Sequence, residues 1–282
     1  MAKRPLIQAL VSLSTNGYLR GFLTGSIYRG PTKSLCVPGL SCYSCPGALG
    51  ACPLGALQAG LGGSVGLPFY ALGWILLFGA AFGRVVCGFF CPFGWIQELL
   101  GRIPTKKFRP AWVRRLERLP FAFLLLFVVV IPVLTRLFSI SIPAFCAYIC
   151  PAGLVTGGIP LILTNPSLRG ILGWLFGWKF LLSVFFLVGC LFIERFFCRI
   201  CCPLGALYGF FNPRAIFSMT CNEAACISCK ACSRVCPMEV RPYEAPNDRR
   251  CVRCLRCVHT CPTHALDLRM GKVVLTKEKE FL

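Results

Sequence analysis

Eight cysteines near the C-terminus are spaced for iron–sulfur chemistry. Cys226, Cys229, Cys232 and Cys236 form C-x2-C-x2-C-x3-C-P, and Cys251, Cys254, Cys257 and Cys261 repeat it. The short x2 steps let a tight loop wrap thiolates and backbone N–H groups around inorganic sulfides, while the following proline turns the chain away. In this two-cluster spacing three close cysteines bind one cubane and the fourth crosses to the other. The pattern assigns Cys226, Cys229, Cys232 and Cys261 to one 4Fe–4S cluster, and Cys251, Cys254, Cys257 and Cys236 to a second. C-x2-C also suits zinc, but zinc does not usually need eight cysteines in two such runs.

A second kind of unit, C-x3-C-P, occurs at Cys87/Cys91, Cys146/Cys150 and Cys198/Cys202. A spacing of four puts both thiols on one helix face. The segment Arg84-VVCGFFCPFGWIQ resembles Arg195-FFCRICCPLGALY, and Cys42-YSCPGAL resembles Ala147-YICPAGL. Each half of a two-fold repeat thus reads as a cysteine loop, an apolar helix, then C-x3-C-P at its far end. Such a repeat gathers Cys87, Cys91, Cys198 and Cys202 into a third cluster site at one membrane face. Near the opposite face lie six thiols: Cys36, Cys42, Cys45, Cys52, Cys146 and Cys150. Cys42, Cys45, Cys146 and Cys150 are the preferred ligands there, with Cys36 and Cys52 supplying or completing another site, and disulfides are the competitor. Cys190, Cys201 and Cys221 are read as spare or packed thiols.

These residues need elements to hold them. The stretch 119–135 carries no charge and is nearly long enough to span a bilayer. Further candidates run from about Ser64 to Val86, from Ile171 to Ile193 with Lys179 able to snorkel, and, interrupted by polar residues, from Leu6 to about Tyr28. A signal peptide is the rival for that first stretch, since Lys3 and Arg4 precede it. The loop 102–118 carries seven basic residues, whereas 29–63 and 136–170 carry two each. The positive-inside rule then places loop 102–118, both termini and the cysteine-rich tail in the cytoplasm. The expected fold is a mainly α, multi-pass membrane domain of four helices over 1–215, followed by a small α+β unit over 216–282. That unit ends in a hairpin around Met270-Gly271.

Composition agrees. Of 282 residues, 56% are hydrophobic, 14% are charged and 21 are cysteine, with 30 Lys and Arg against 10 Asp and Glu. Disorder and an ordinary soluble domain need a different balance, and disulfide scaffolds lack long apolar runs. The basic residues follow membrane topology and the cluster loops, which excludes nucleic acid as a partner. No Ser-His-Asp set, HExxH, P-loop or GxGxxG is present. His259 and His264, beside the second tail motif, suit structural or tuning roles. Arg84, Glu194 and Arg195 suit interfacial anchoring, and Trp74, Trp95, Trp174 and Trp178 an aromatic belt. Gln97 and Glu98 are the candidates for proton handling at a quinone pocket.

The repeated CGFFCPFGWIQ and CRICCPLGALY, followed by two tail motifs of ferredoxin type, resemble the NapH/NosR-like polyferredoxin-type 4Fe–4S membrane protein family. The resemblance spans nearly the whole chain. It implies four membrane helices, cytoplasmic clusters, and electron exchange between quinol or cytoplasmic donors and extracytoplasmic partners. The cysteine-rich CVPGLSCYSCPGALGACP and the Cys146/Cys150 pair go beyond its minimal two-pair pattern. The expected function is therefore an electron-transfer subunit of an oxidoreductase complex in the cell membrane, with redox partner subunits on one or both faces. The alternatives are a quinol dehydrogenase with its own quinone site, or a metal- or thiol-reducing maturation factor.

Overall fold

The structure, a computed structural model, describes residues 3–63, 68–271 and 273–275. It is mostly helical. The helices used below are α1 (Lys3–Thr15), α2 (Pro53–Gly62), α3 (Phe69–Phe82), α4 (Pro92–Gly101), α5 (Ala111–Leu137), α6 (Gly153–Thr164), α7 (Trp174–Phe192) and α8 (Pro203–Phe211). Two of them, α5 and α7, are long and apolar enough to cross a membrane, with mean hydropathies of 2.3 and 2.1. Their apolar side chains face outward: Leu125, Leu181 and Phe185 are all more than half exposed. In a soluble protein those residues would form an unmatched apolar surface.

The four-helix expectation is met only in part. The Leu6–Tyr28 stretch folds as α1 and a separate turn of helix at Arg20–Thr24. The break has a local cause: Thr15 and Asn16 turn their side chains back onto the carbonyls of Val11 and Ser12, an alternative to continuing the helix. The start of the Ser64–Val86 candidate lies outside the described residues, and α3 has 14 residues, short of the roughly 20 that span a bilayer.

The tail folds against the end of this bundle. Strands β1 (Phe217–Cys221), β2 (Leu266–Met270) and β3 (Val273–Val274) form an antiparallel sheet in the order β1-β2-β3. Gly271, at φ 58°, turns β2 towards β3, a conformation that glycine adopts without strain. Buried polar groups fix the docking. Asn212 donates to the carbonyls of Asp248 and Cys251 and accepts from the Arg84 amide. Arg84 reaches the carbonyls of Arg249 and Arg250, and Arg253 reaches back to those of Phe82 and Asn212.

Candidate iron–sulfur sites

The two tail motifs adopt the same backbone. Ser228 and Lys230 flank Cys229 with φ of 53° and 59°, and Arg253 and Leu255 flank Cys254 with φ of 48° and 63°. Glu239 and His264, each three residues past the last cysteine of its motif, are left-handed too. Such φ values are outliers for a leucine or an arginine. Recurring at matched positions, they turn successive N–H groups inward to make a nest for an anionic group. Cys226, Cys229, Cys232 and Cys261 line one small cavity, which Cys221 also enters. Burial raises the Cys221 thiol to about 11, and its neighbours Cys226, Cys232 and Cys261 add to the shift. Cys236, Cys251, Cys254 and Cys257 form the second group. Burial pushes Cys251 up to about 12, assisted by Cys254 and Cys236, and Cys257 rises through burial and its neighbours Cys254, Cys251 and Cys236.

The third group is Cys87, Cys91, Cys198 and Cys202, at the start of α4 and of α8. Cys91 caps α4, accepting from the Gly94 amide at 3.3 Å. It also accepts from the Leu40 amide at 3.4 Å. Cys202 shares a hydrogen with Cys198, which favours the Cys198 thiolate, and Arg195, Gln97 and Arg84 support that charge. Burial raises Cys87, whose neighbours include Arg84, Cys198 and Arg195.

The fourth group differs from the expected set. Cys42, Cys52, Cys146 and Cys150 line one cavity of about 510 Å³, with Lys33 on its wall. Cys52 caps α2 and so enters the group. Cys45 does not line this cavity; the amides of Gly47 and Ala48 and the Thr156 hydroxyl face its buried thiol. Cys36 pairs its backbone with Ala51 in a parallel bridge. Lys179 donates to the Cys146 carbonyl at 3.1 Å.

A signal for Cys52 was present in the chain. Cys52-PLGALQ, Cys91-PFGWIQ, Cys150-PAGLVT and Cys202-PLGALY all begin C-P-x-G. In each, the cysteine precedes a helix and the glycine amide three residues on favours its thiolate, as a helix N-terminus should. Each glycine lies beside sulfur, at ordinary contact distance for a side chain. A Cβ would lie 3.8 Å from the Cys146 sulfur at Gly55, 3.6 Å from Cys91 at Gly94, 3.4 Å from Cys42 at Gly153 and 3.8 Å from Cys202 at Gly205. Two glutamines, each six residues past a cysteine, complete the likeness. Gln58 Nε2 donates to Cys146 Sγ at 3.2 Å, and Gln97 Nε2 donates to Cys198 Sγ at 3.1 Å. Neither was expected in this role.

The groups adjoin one another. The Gly88 Cα faces the Val252 carbonyl, and Arg195 interacts with both Cys198 and Cys254. Cys201 lies near both Cys150 and Cys198. Tyr208, fully buried, donates to the Pro38 carbonyl at 2.9 Å and has Cys87, Cys52, Cys91 and Cys36 as neighbours. Along α7, eleven residues separate Lys179, at the level of Cys146, from Cys190, which contacts Gln97. That is about 16 Å of helix rise. Trp178 Nε1 donates to the Tyr148 carbonyl at 3.1 Å, so the segment between Cys146 and Cys150 packs beside the first turns of α7.

All four groups are pure thiol sets, the first and fourth of them lining a cavity, and the donor chemistry suits polynuclear iron–sulfur clusters. Among the described residues no three His, Cys, Asp or Glu side chains close on one point as a single metal ion would require. Glu98 is committed elsewhere. Burial alone would raise its carboxyl, but Arg195 and Arg4 outweigh that and hold it at about 2, which makes it a weak proton acceptor at neutral pH.

Residues 64–115, 119–163 and 171–219, just over half of the chain, match the family described as 4Fe-4S binding domain, and the chain belongs to that family. Each matched segment contains one C-x3-C-P unit. It is thus a member of the polyferredoxin-like 4Fe–4S family to which those pairs pointed. Among its relatives is an uncharacterized protein of Methanocaldococcus jannaschii, 31% identical over 199 residues, or 68% of this chain and 74% of that one. The methylamine utilization ferredoxin-type protein MauN of Paracoccus denitrificans is 29% identical over 164 residues, 55% of this chain and 48% of MauN. The putative electron transport protein YccM of Escherichia coli is 27% identical over 163 residues, 56% of this chain and 42% of YccM. No solved structure gives a significant match.

Proposed function

We propose that the protein is a membrane-bound iron–sulfur electron-transfer subunit, relaying electrons between cytoplasmic redox partners and a quinone pool or an extracytoplasmic partner. The observation that carries this is the succession of four adjoining thiol quartets, running from the tail into the bundle. Cys226, Cys229, Cys232 and Cys261 hold the first 4Fe–4S cluster, and Cys236, Cys251, Cys254 and Cys257 the second. Cys87, Cys91, Cys198 and Cys202 hold the third, and Cys42, Cys52, Cys146 and Cys150 the fourth. Cys36 and Cys45 stay outside the ligand set. Bound there, the clusters supply one-electron chemistry. The chain contributes thiolates, burial, the nests of the tail, and the Gln58 and Gln97 donors, which set potentials through hydrogen bonds to sulfur.

The division is a membrane domain over 1–215 and a two-cluster ferredoxin domain over 216–282. In the membrane domain α5 and α7 cross fully while α1 and α3 make shorter passes, and the repeat unites the third and fourth quartets as related sites. Both termini and the ferredoxin domain lie on the cytoplasmic side, by the basic loop 102–118. A bilayer core of about 30 Å is long for a single transfer, and a quartet partway along α7 divides it.

The test is a count of iron and acid-labile sulfide in the anaerobically purified full chain. Four cubanes give about sixteen irons per chain, and fewer than about twelve would overturn even a three-cluster relay.

A further inference from the structure

Between the tail and the end of the bundle lies a cavity of about 540 Å³ that the relay does not use. Its charge is unbalanced. The carboxylates on its wall are Glu98, Glu194 and Glu239, and each already has an arginine: Glu98 pairs with Arg4 and Arg195, Glu194 with Arg256, and Glu239 with Arg199. Four further cations line the same cavity, Arg102, Lys107, Arg109 and Arg234. Among the described residues none of these four is paired with a carboxylate. Arg109 and Arg234 donate only to carbonyls, and Lys107 to the Leu191 carbonyl and the Thr105 hydroxyl. Arg199 adds a donor: it is 4% exposed, lines the cavity, and its Nε has no partner among the described residues.

We propose that this cavity is a binding site for a phosphate-bearing ligand. Several guanidinium groups converging on a concave site are the recognition chemistry of phosphate, through paired, charge-assisted hydrogen bonds. The shape favours a small ligand or headgroup over a flat protein contact. The location supplies one source. The Phe108 amide bonds the Phe192 carbonyl at 2.9 Å and the Lys107 amine bonds that of Leu191 at 2.6 Å, so the cavity opens beside the C-terminal end of α7. There an anionic phospholipid would present its phosphate, and basic pockets at helix ends take such headgroups. A soluble phosphate ester is the other source of the same chemistry. Cys236 also lines the cavity, so a bound anion would lie next to the second quartet.

The experiment uses the full chain, purified anaerobically with its clusters in neutral detergent. One arm titrates mixed micelles of cardiolipin against micelles of phosphatidylcholine, and the other titrates inorganic pyrophosphate. Binding is read by native mass spectrometry and by the shift in unfolding temperature. The expected result is saturable binding in at least one arm, cardiolipin marking a headgroup site and pyrophosphate a soluble one. The Arg102→Gln/Lys107→Gln variant should bind about tenfold more weakly or worse. Both residues are exposed and lie outside the cysteine motifs, so folding and the visible cluster spectrum should be unchanged, and Arg109→Gln repeats the test on a third exposed cation. Arg241→Gln, which removes an exposed arginine outside the cavity, should bind normally. Binding in neither arm, or equal binding by wild type and the cavity variants, overturns the proposal.

Discussion

Cys52 and Cys45 offer a sharp test of the fourth quartet. Cysteine spacing alone favours Cys45, because Cys42 and Cys45 form a C-x2-C pair followed by proline. The fold favours Cys52, whose place at the head of α2 puts it on the cavity wall with Cys42, Cys146 and Cys150. Cys52→Ser should therefore remove one cubane, lowering iron from about sixteen to about twelve per chain, while Cys45→Ser keeps the full count. The consequence for transfer follows from α7. With the fourth quartet filled, an electron leaving the third has a neighbouring stop, with Cys201 near both; without it, the sixteen residues of α7 from Cys190 to Trp174 leave about 24 Å. Iron analysis and electron paramagnetic resonance of the reduced protein read the first effect. The second is read in proteoliposomes, as the rate at which an impermeant oxidant on the far side discharges protein reduced from the tail side. Cys52→Ser should slow this discharge steeply and Cys45→Ser should not. If Cys45→Ser loses four irons while Cys52→Ser retains them, the assignment is wrong, and with it the inference from the shared C-P-x-G heads.

Other substitutions probe the rest of the chain of contacts. Gln97→Leu removes an N–H donor from the Cys198 sulfur and should lower one cluster potential while leaving the others in place; a redox titration in which no midpoint moves refutes the tuning role. Glu98→Gln leaves Arg195, which is 1% exposed, buried without its partner, at a cost of about 3–5 kcal/mol at pH 7. Since Arg195 and Arg4 hold Glu98 at about 2, below an unfolded value near 4.3, its contribution is complete above that value and is lost as pH falls towards 2. The unfolding temperatures of wild type and variant should differ at pH 7 and draw together below about pH 4; equal stability at pH 7 counts against the buried ion pair. Gly88→Ala would place a Cβ 2.4 Å from the Val252 carbonyl, so thermal unfolding should show a loss of about 1–3 kcal/mol, and an unchanged midpoint would mean that the tail is not docked this closely.

The legibility of the sites in the sequence varies with how local their geometry is. The two tail quartets need only the x2 and x3 steps and a mirrored second motif, all visible along the chain. The third quartet needs two distant C-x3-C-P pairs to meet, and the matching segments around Cys87/Cys91 and Cys198/Cys202 point to that meeting. The fourth depends on the path of the loop from Cys36 to Cys52, which returns to pair Cys36 with Ala51. No spacing rule encodes that return, though the repeated C-P-x-G head is a trace of its result. Gln58 carries no signal in the sequence and Gln97 reads there only as a proton-handling candidate, because a glutamine in an apolar helix does not reveal a sulfur partner until the packing across the bundle is known. The first apolar stretch shows the opposite difficulty: hydropathy is summed over a window, whereas Thr15 and Asn16 end α1 through individual hydrogen bonds.

The basic excess of the chain gains a physical account from where its arginines lie. Thirty Lys and Arg face ten Asp and Glu, yet Arg84, Arg195, Arg199 and Arg253 are all buried. Arg195 and Arg199 have carboxylate partners. Among the described residues Arg84 and Arg253 have none; their guanidinium groups reach carbonyls and, for Arg253, the Asn247 side chain. A buried cation left in that state would be costly. What lies beside them is thiol: Arg84 next to Cys87, and Arg253 next to Cys251. An oxidised cubane with its four thiolates carries about −2, so the four proposed clusters would bring about −8 to the interior. The buried arginines then serve as counter-charge to the sites, while the unpaired cations of loop 102–118 remain at the rim. On this account assembly of the metal sites is part of folding, because without them Arg84 and Arg253 stay buried with no counter-charge among the described residues.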